Sequence, residues 1–127
     1  MTDFTHEEVI EIVHILENAN LTGIDLNGVS LRVADLRKTI ASMANLMRAD
    51  LSEANLYGID LSHANLHGAF LFITNVQKAN LQGANLSWAI LREADLSGAD
   101  LRDARYDKNT KFPENFNPKI AEMVLVK

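Results

Sequence analysis

The stretch KANLQGANLSWAILREADLSGADLRDA, residues 78–104, sets leucine at 81, 86, 91, 96 and 101. A period of five belongs to neither regular secondary structure. On an α-helix each step of five turns the side chain by about 140°, which smears the leucines around the cylinder. On a strand an odd step sends successive leucines to opposite faces. A chain that turns a corner every five residues keeps all of them indoors.

Followed outward from Leu81, the frame holds over residues 19–108 without a slip. Of the eighteen centres from 21 to 106, fifteen are leucine, the exceptions being Ala41, Val76 and Tyr106. Two positions before the centre thirteen are alanine, and immediately before it thirteen are Asn or Asp. All six glycines (23, 28, 58, 68, 83 and 98) stand two residues after a centre. A turn of the form Leu-x-Gly-Ala puts glycine third, where a type II turn requires φ > 0. Corners that all bend alike wind a square coil of four sides. Centre leucines point inward from the middle of each side, and alanines point inward near the corners, where only a methyl fits. Eighteen pentapeptides make about four and a half coils, a stack about 20 Å tall at the usual inter-strand spacing.

Two irregularities carry expectations. The corner after Leu31, Leu51, Leu71 and Leu91 ends in Val33, Glu53, Ile73 and Glu93, with no glycine in any coil. β-branched residues at φ > 0 are costly, so this corner is expected to avoid the type II turn. In KTIASMANL (38–46), Ala41 occupies a centre and Ile40 stands where Asn or Asp is usual. Either Ile59, one coil later, fills the space that Ala41 leaves, or a local bulge turns Ile40 inward.

Ala-Asn-Leu-Gln-Gly (79–83) and Ala-Asp-Leu-Ser-Gly (94–98) resemble the A(D/N)LxX unit of the pentapeptide-repeat family. The resemblance implies an all-β solenoid, a right-handed quadrilateral β-helix, and it says little about function. Three segments follow: an N-terminal capping α-helix over 1–18, the pentapeptide-repeat β-helix over 19–108, and a C-terminal capping tail over 109–127. In THEEVIEIVHILEN, Thr5 and Glu8 are spaced as a capping box. Val9, Ile12, Val13 and Leu16 make one apolar face to lie over the first coil, whose edge would otherwise invite pairing. In the tail, Phe112, Phe116 and Ile120, punctuated by Pro113 and Pro118, can cover the last coil. That tail is similar to those of cyanobacterial members of the family.

Charge and composition narrow the function. The net charge of −5 is concentrated at the start, where residues 1–18 hold five acids and no base. Residues 19–106 hold eight bases and nine acids, so no basic face for nucleic acid is expected. Nor is there a long acidic stripe, because Asp25 is followed one coil on by Asn45, and Asp35 by Asn55. Without cysteine, disulfides and thiolate chemistry are excluded. No signal peptide and no apolar run of membrane-spanning length are visible, so a cytoplasmic protein that binds no membrane is expected. His63 and His67 flank one corner, but no third ligand of suitable type accompanies them, and no metal site is expected. Hydroxyls lack a histidine–carboxylate partner in register, and no phosphate-binding or dinucleotide motif occurs. Neither catalytic residues nor a cofactor are expected, and the protein is read as a non-enzyme.

One outward feature is anomalous. AFLFITN (69–75) phases Phe70, Phe72 and Ile73 toward solvent, with Ile90 one coil above Phe70 and Trp88 beside it across a corner. Clustered exposed aromatics are enriched at interfaces. Phe70, Phe72, Ile73, Trp88 and Ile90 are therefore the candidate protein interface, for an unknown protein partner or a second copy of the chain. Alternatively, a terminal segment such as MVLVK (123–127) folds back and covers them, or the patch is exposed without a function. The function expected is a scaffold or protein–protein interaction module. The alternative, implied by the family resemblance alone, is a DNA-mimicking regulator of DNA gyrase.

Overall fold

A computed structural model describes residue 5 and residues 16–127. The helix expected over 1–18 therefore lies, for the most part, outside the described residues. Its last three positions are not helical. Leu16 is buried and opens the first corner, with Ala19 N–H donating to Leu16 O at 3.0 Å.

From there the chain repeats one unit. A centre residue starts a four-residue turn closed by the N–H of the inward alanine, and the next residue bridges to the coil above. Bridges join residues twenty apart, all in parallel, from Asn20↔Ile40 to Asn85↔Arg105. Because a corner takes four of every five residues, each side keeps a single bridging residue. Among the described residues, strands longer than one residue consequently occur only at the end, where β1 (Arg105–Tyr106) pairs in parallel with β2 (Val124–Leu125).

From Asn18 to Asp103 every corner is of one kind. Its third residue has φ between 55° (Lys38) and 72° (Gly28), and this includes Val33, Glu53, Ile73 and Glu93. The expectation of a different corner at those four positions is thus overturned. The reason lies between coils. In the left-handed conformation the third residue donates its N–H along the stack, as Gly23 does to Ser42 O at 2.9 Å and Ile73 to Arg92 O at 3.1 Å. A corner bent otherwise would lose that bond and misalign with its neighbours above and below. Register with the stack outweighs the residue's own backbone preference.

The position before the centre also has a local task. At all thirteen Asn and Asp, the side-chain oxygen accepts the N–H two residues on, for example Met47 N–H to Asn45 Oδ1 at 3.2 Å and Ser62 N–H to Asp60 Oδ1 at 3.0 Å. That N–H, inside the turn, has no ladder partner, so the carboxylate or amide satisfies it as an Asx turn.

Inside, the centre leucines are buried except Leu96. Thr39, Thr74 and Thr110 replace the inward alanine, and each hydroxyl donates to the carbonyl of the corner leucine below, Leu16, Leu51 and Leu86, at 2.8–2.9 Å. A cavity of about 10 Å³ remains where the centre is only Ala41, lined among others by Ile59, Leu46 and Leu61. Ile40 keeps its regular bridges to Asn20 and Asp60 and is 44% exposed. No bulge turns it inward, and Ile59 takes up part of the space.

The tail leaves the frame by inserting one residue. The bridge above Ile90 falls on Lys111, an offset of twenty-one, and the pairing of Arg105 with Val124 returns at nineteen. The tail thus takes a shorter course than the coil beneath it. Phe112 packs edge-on to Tyr106 and stacks on Phe116, with centroids 5.5 Å and 4.9 Å apart. Met123 is buried in the core, whereas Ile120, expected to cover the last coil, is 80% exposed.

Candidate functional site

The candidate residues sit on one side of the coil and at its two corners. Phe70 and Ile90 bridge to one another and stand one above the other. Both occupy the position that holds Asn or Asp in thirteen of the eighteen units, so the N–H groups of Phe72 and Arg92 lose the side-chain acceptor that those turns possess. Trp88 is the third residue of the adjoining corner, with φ 62°. Its N–H donates to Asp107 Oδ1 at 3.2 Å, because the inserted residue of the tail displaces the backbone carbonyl that would accept it. Gly68 lies one coil below Trp88, and the missing side chain opens a shallow groove lined by Arg48, His67, Gly68, Phe70, Trp88 and Ile90.

Three of the five residues therefore share a groove. Phe72 belongs to a second, with Arg92, Glu93, Lys111, Phe112 and Glu114. Ile73 stands at the corner beyond and lines neither. Phe70, Phe72, Ile73 and Trp88 are 41–56% exposed, and Ile90 is half-buried beneath its neighbours. MVLVK does not cover them. Its Val124 and Leu125 pair with the edge of the coil, and Leu125, itself 53% exposed, flanks Trp88 together with Val126 and Lys127. The tail enlarges the apolar surface. Arg48 and Gly68 could have been found from the sequence, since both fall in the column of Trp88. Leu125 could not, because the tail breaks the count of twenty.

Electrostatics on the other sides is local. Arg37 makes two bonds to the carboxylate of Asp35 (2.8 and 2.7 Å) and Arg102 two to that of Asp100 (3.0 and 2.7 Å). Those guanidinium hydrogen bonds hold both carboxyls below the usual range. Arg32 pairs with Glu53 at 2.9 Å. Among the described residues no three His, Cys, Asp or Glu side chains come close enough to hold a metal ion, and no helix is long and apolar enough to cross a membrane.

The family described as Pentapeptide repeats matches residues 15–52, 44–71 and 74–105. Among solved structures, the chain is similar to alr5209, a pentapeptide repeat protein from Nostoc PCC 7120, at 38% identity over 96% of both chains, with a TM-score of 0.50. It is also similar to the pentapeptide repeat protein Rfr23 from the cyanobacterium Cyanothece 51142, at 37% identity over 75% of this chain and 61% of that one (TM-score 0.44). A third relative is AT2G44920, a pentapeptide repeat protein of the Arabidopsis thaliana thylakoid lumen, at 28% identity over 84% and 72% (TM-score 0.44). A comparison with curated protein sequences found no match.

Proposed function

The chain belongs to the pentapeptide-repeat family, and on that premise we propose that it acts without catalysis, as a rigid protein-interaction module of the cytoplasm. Its fold is the right-handed quadrilateral β-helix of that family. In this reading about four and a half coils display one apolar side, while residues 1–18 and 109–127 cap the two ends. Phe70, Phe72, Ile73, Trp88 and Ile90 anchor a protein partner.

A single observation carries the proposal. Phe70 and Ile90, stacked in two successive coils of one column, both replace the Asx residue that closes thirteen other turns, whereas the other apolar replacement, Ile40, has Asn20 and Asp60 as its neighbours. Each replacement forfeits a hydrogen bond worth about 0.5–1.5 kcal/mol and exposes an apolar side chain. Departures from a local rule without compensation in the fold concentrate where a surface serves recognition. A DNA-mimicking surface has less support, since Arg32, Arg37, Lys38, Lys78, Arg92 and Arg102 interrupt the sides. Inhibition of gyrase supercoiling is therefore expected to be weak or absent.

The test is Phe72→Glu combined with Trp88→Glu. Neither side chain points into the core, so circular dichroism and melting should match the parent. Proteins retained by the immobilised parent from the native cell should be lost. If the double variant unfolds, these residues are core. If it folds and retains every protein the parent retains, the interface lies elsewhere.

A further inference from the structure

The last coil is open along two of its sides. Coil by coil, the centre residue and the corner's third residue donate N–H groups upward, as Leu81 does to Asp100 O at 2.7 Å and Lys78 to Ser97 O at 3.0 Å. In the last coil the same groups of Leu96, Gly98 and Leu101 have no backbone acceptor among the described residues, and the upward carbonyls of Ala94 and Ala99 have no donor among them. The tail supplies partners on either side of this run, through Lys111 O to Leu91 N–H and Glu122 O to Asp103 N–H. Between those points its shorter course crosses the end of the coil without pairing.

The side chains repeat the same gap. Leu96 is the one centre leucine that is not buried, and Ala99 beside it is likewise half-exposed, although both are phased into the core like their counterparts below. A groove runs between this edge and the tail, lined by Asp95, Leu96, Ser97, Pro113, Glu114 and Phe116. Its two charged residues are both acids, and neither has an ion-pair partner among the described residues. Asp95 accepts from Ser97 N–H and from the amide of Gln77, which leaves its carboxylate ionised and facing outward.

We infer that residues 94–101 form a β-augmentation site for an extended segment of a partner protein, in which an apolar residue seated over Leu96 is flanked by lysine or arginine. An edge of alternating N–H and C=O groups is completed by a strand, and main-chain bonds supply the binding while side-chain pockets choose the sequence. The next coil would place a leucine over Leu96, so the pocket asks for an apolar residue at that step. The acids on both walls ask for a base on the outward positions. This edge is separate from the Phe70–Trp88 groove and does not depend on it.

Amide hydrogen exchange on the isotopically labelled full chain tests the assignment. The probe is a capped peptide, Ala-Lys-Leu-Lys-Gly-Ala-Lys-Leu, which continues the frame with lysine on the outward positions. At about ten times its Kd the peptide should slow exchange about tenfold at Leu96, Gly98 and Leu101, and it should shift the amide resonances of those residues while leaving those of Leu61 and Leu66, in the middle of the stack, in place. A version with glutamate for lysine should bind at least about tenfold more weakly, since like charges would then face Asp95 and Glu114. A version N-methylated on its ladder N–H groups should not protect. No slowing, equal slowing by the glutamate or methylated peptide, or protection that rises with protein concentration alone would each overturn the inference, the last by showing that a second copy occupies the edge.

Discussion

Replacing Gly28 by valine isolates the energetic question that the uniform corners raise. Gly28 has φ 72°, and a Cβ built on it meets nothing within 4 Å, so the substitution changes backbone strain and almost nothing else. Holding an L-residue in the left-handed region costs about 1–2 kcal/mol. The narrower unfolded ensemble of valine returns about 0.4–1 kcal/mol. The net expectation is a loss of about 1 kcal/mol, or a fall of about 0.5 M in the urea midpoint at an m-value of about 2 kcal/mol/M. Gly28→Asn should fall between parent and valine, because asparagine tolerates this conformation. The reciprocal change, Val33→Gly, should be nearly neutral. It relieves the strain at φ 61° but frees the unfolded backbone and removes the buried part of a side chain that is 62% exposed. Urea unfolding followed by circular dichroism, with the m-value unchanged, reads all three. Were Gly28→Val as stable as the parent, the left-handed corner would carry no strain, and stacking would not be overriding residue preference.

Three further outcomes are expected. Ile59→Ala should cost about 2–5 kcal/mol by enlarging the cavity beside Ala41; adding Ala41→Leu should recover most of it, and calorimetry of the two singles and the double would show the coupling. Asn65→Ala removes the acceptor of His67 N–H and should lower stability by about 0.5–1.5 kcal/mol, measured by urea unfolding. Asp35 and Asp100 have folded-state pKa values below those of the unfolded chain, so their contribution is present above about pH 4 and disappears as pH falls through the folded values; a melting-temperature profile against pH should be flatter on the acid side for Asp35→Asn and Asp100→Asn.

The repeating part of this fold is legible because its determinants are periodic. Counting by five separates Leu81, Ala79 and Gly83 by position alone, and counting by twenty stacks Phe70 under Ile90. The use of Asn and Asp is also local, although its physical reason appears only when Asn45 is seen accepting the N–H of Met47. Val33 and Ile73 mislead for the opposite reason. Residue preference acts on one turn, whereas a corner in a stack must aim its N–H at the carbonyl of the coil above, and that requirement is invisible in a five-residue window. The tail is illegible in a third way. One inserted residue before Lys111 shifts the pairing, and from there column counting no longer places Leu125 beside Trp88 or leaves Leu96 uncovered.

These failures share a cause that bears on function. A perfect pentapeptide coil satisfies every backbone group by repetition and presents the same small polar surface on each side, which gives a partner nothing to distinguish. Recognition must be placed where repetition lapses. Phe70 and Ile90 lapse in composition, surrendering turn acceptors to set apolar groups beside Trp88. The edge at Leu96 lapses in register, leaving donors and acceptors without a next coil. The first kind is found by asking which outward residue breaks its column, and the second only by following where each N–H goes. A partner that buries Trp88 would leave exchange at Leu96 and Gly98 unaltered, while a strand added at the edge would slow it. Exchange at Leu96 and Gly98 thus tells the two occupants apart, although Glu114 lines both the Phe72 groove and the edge.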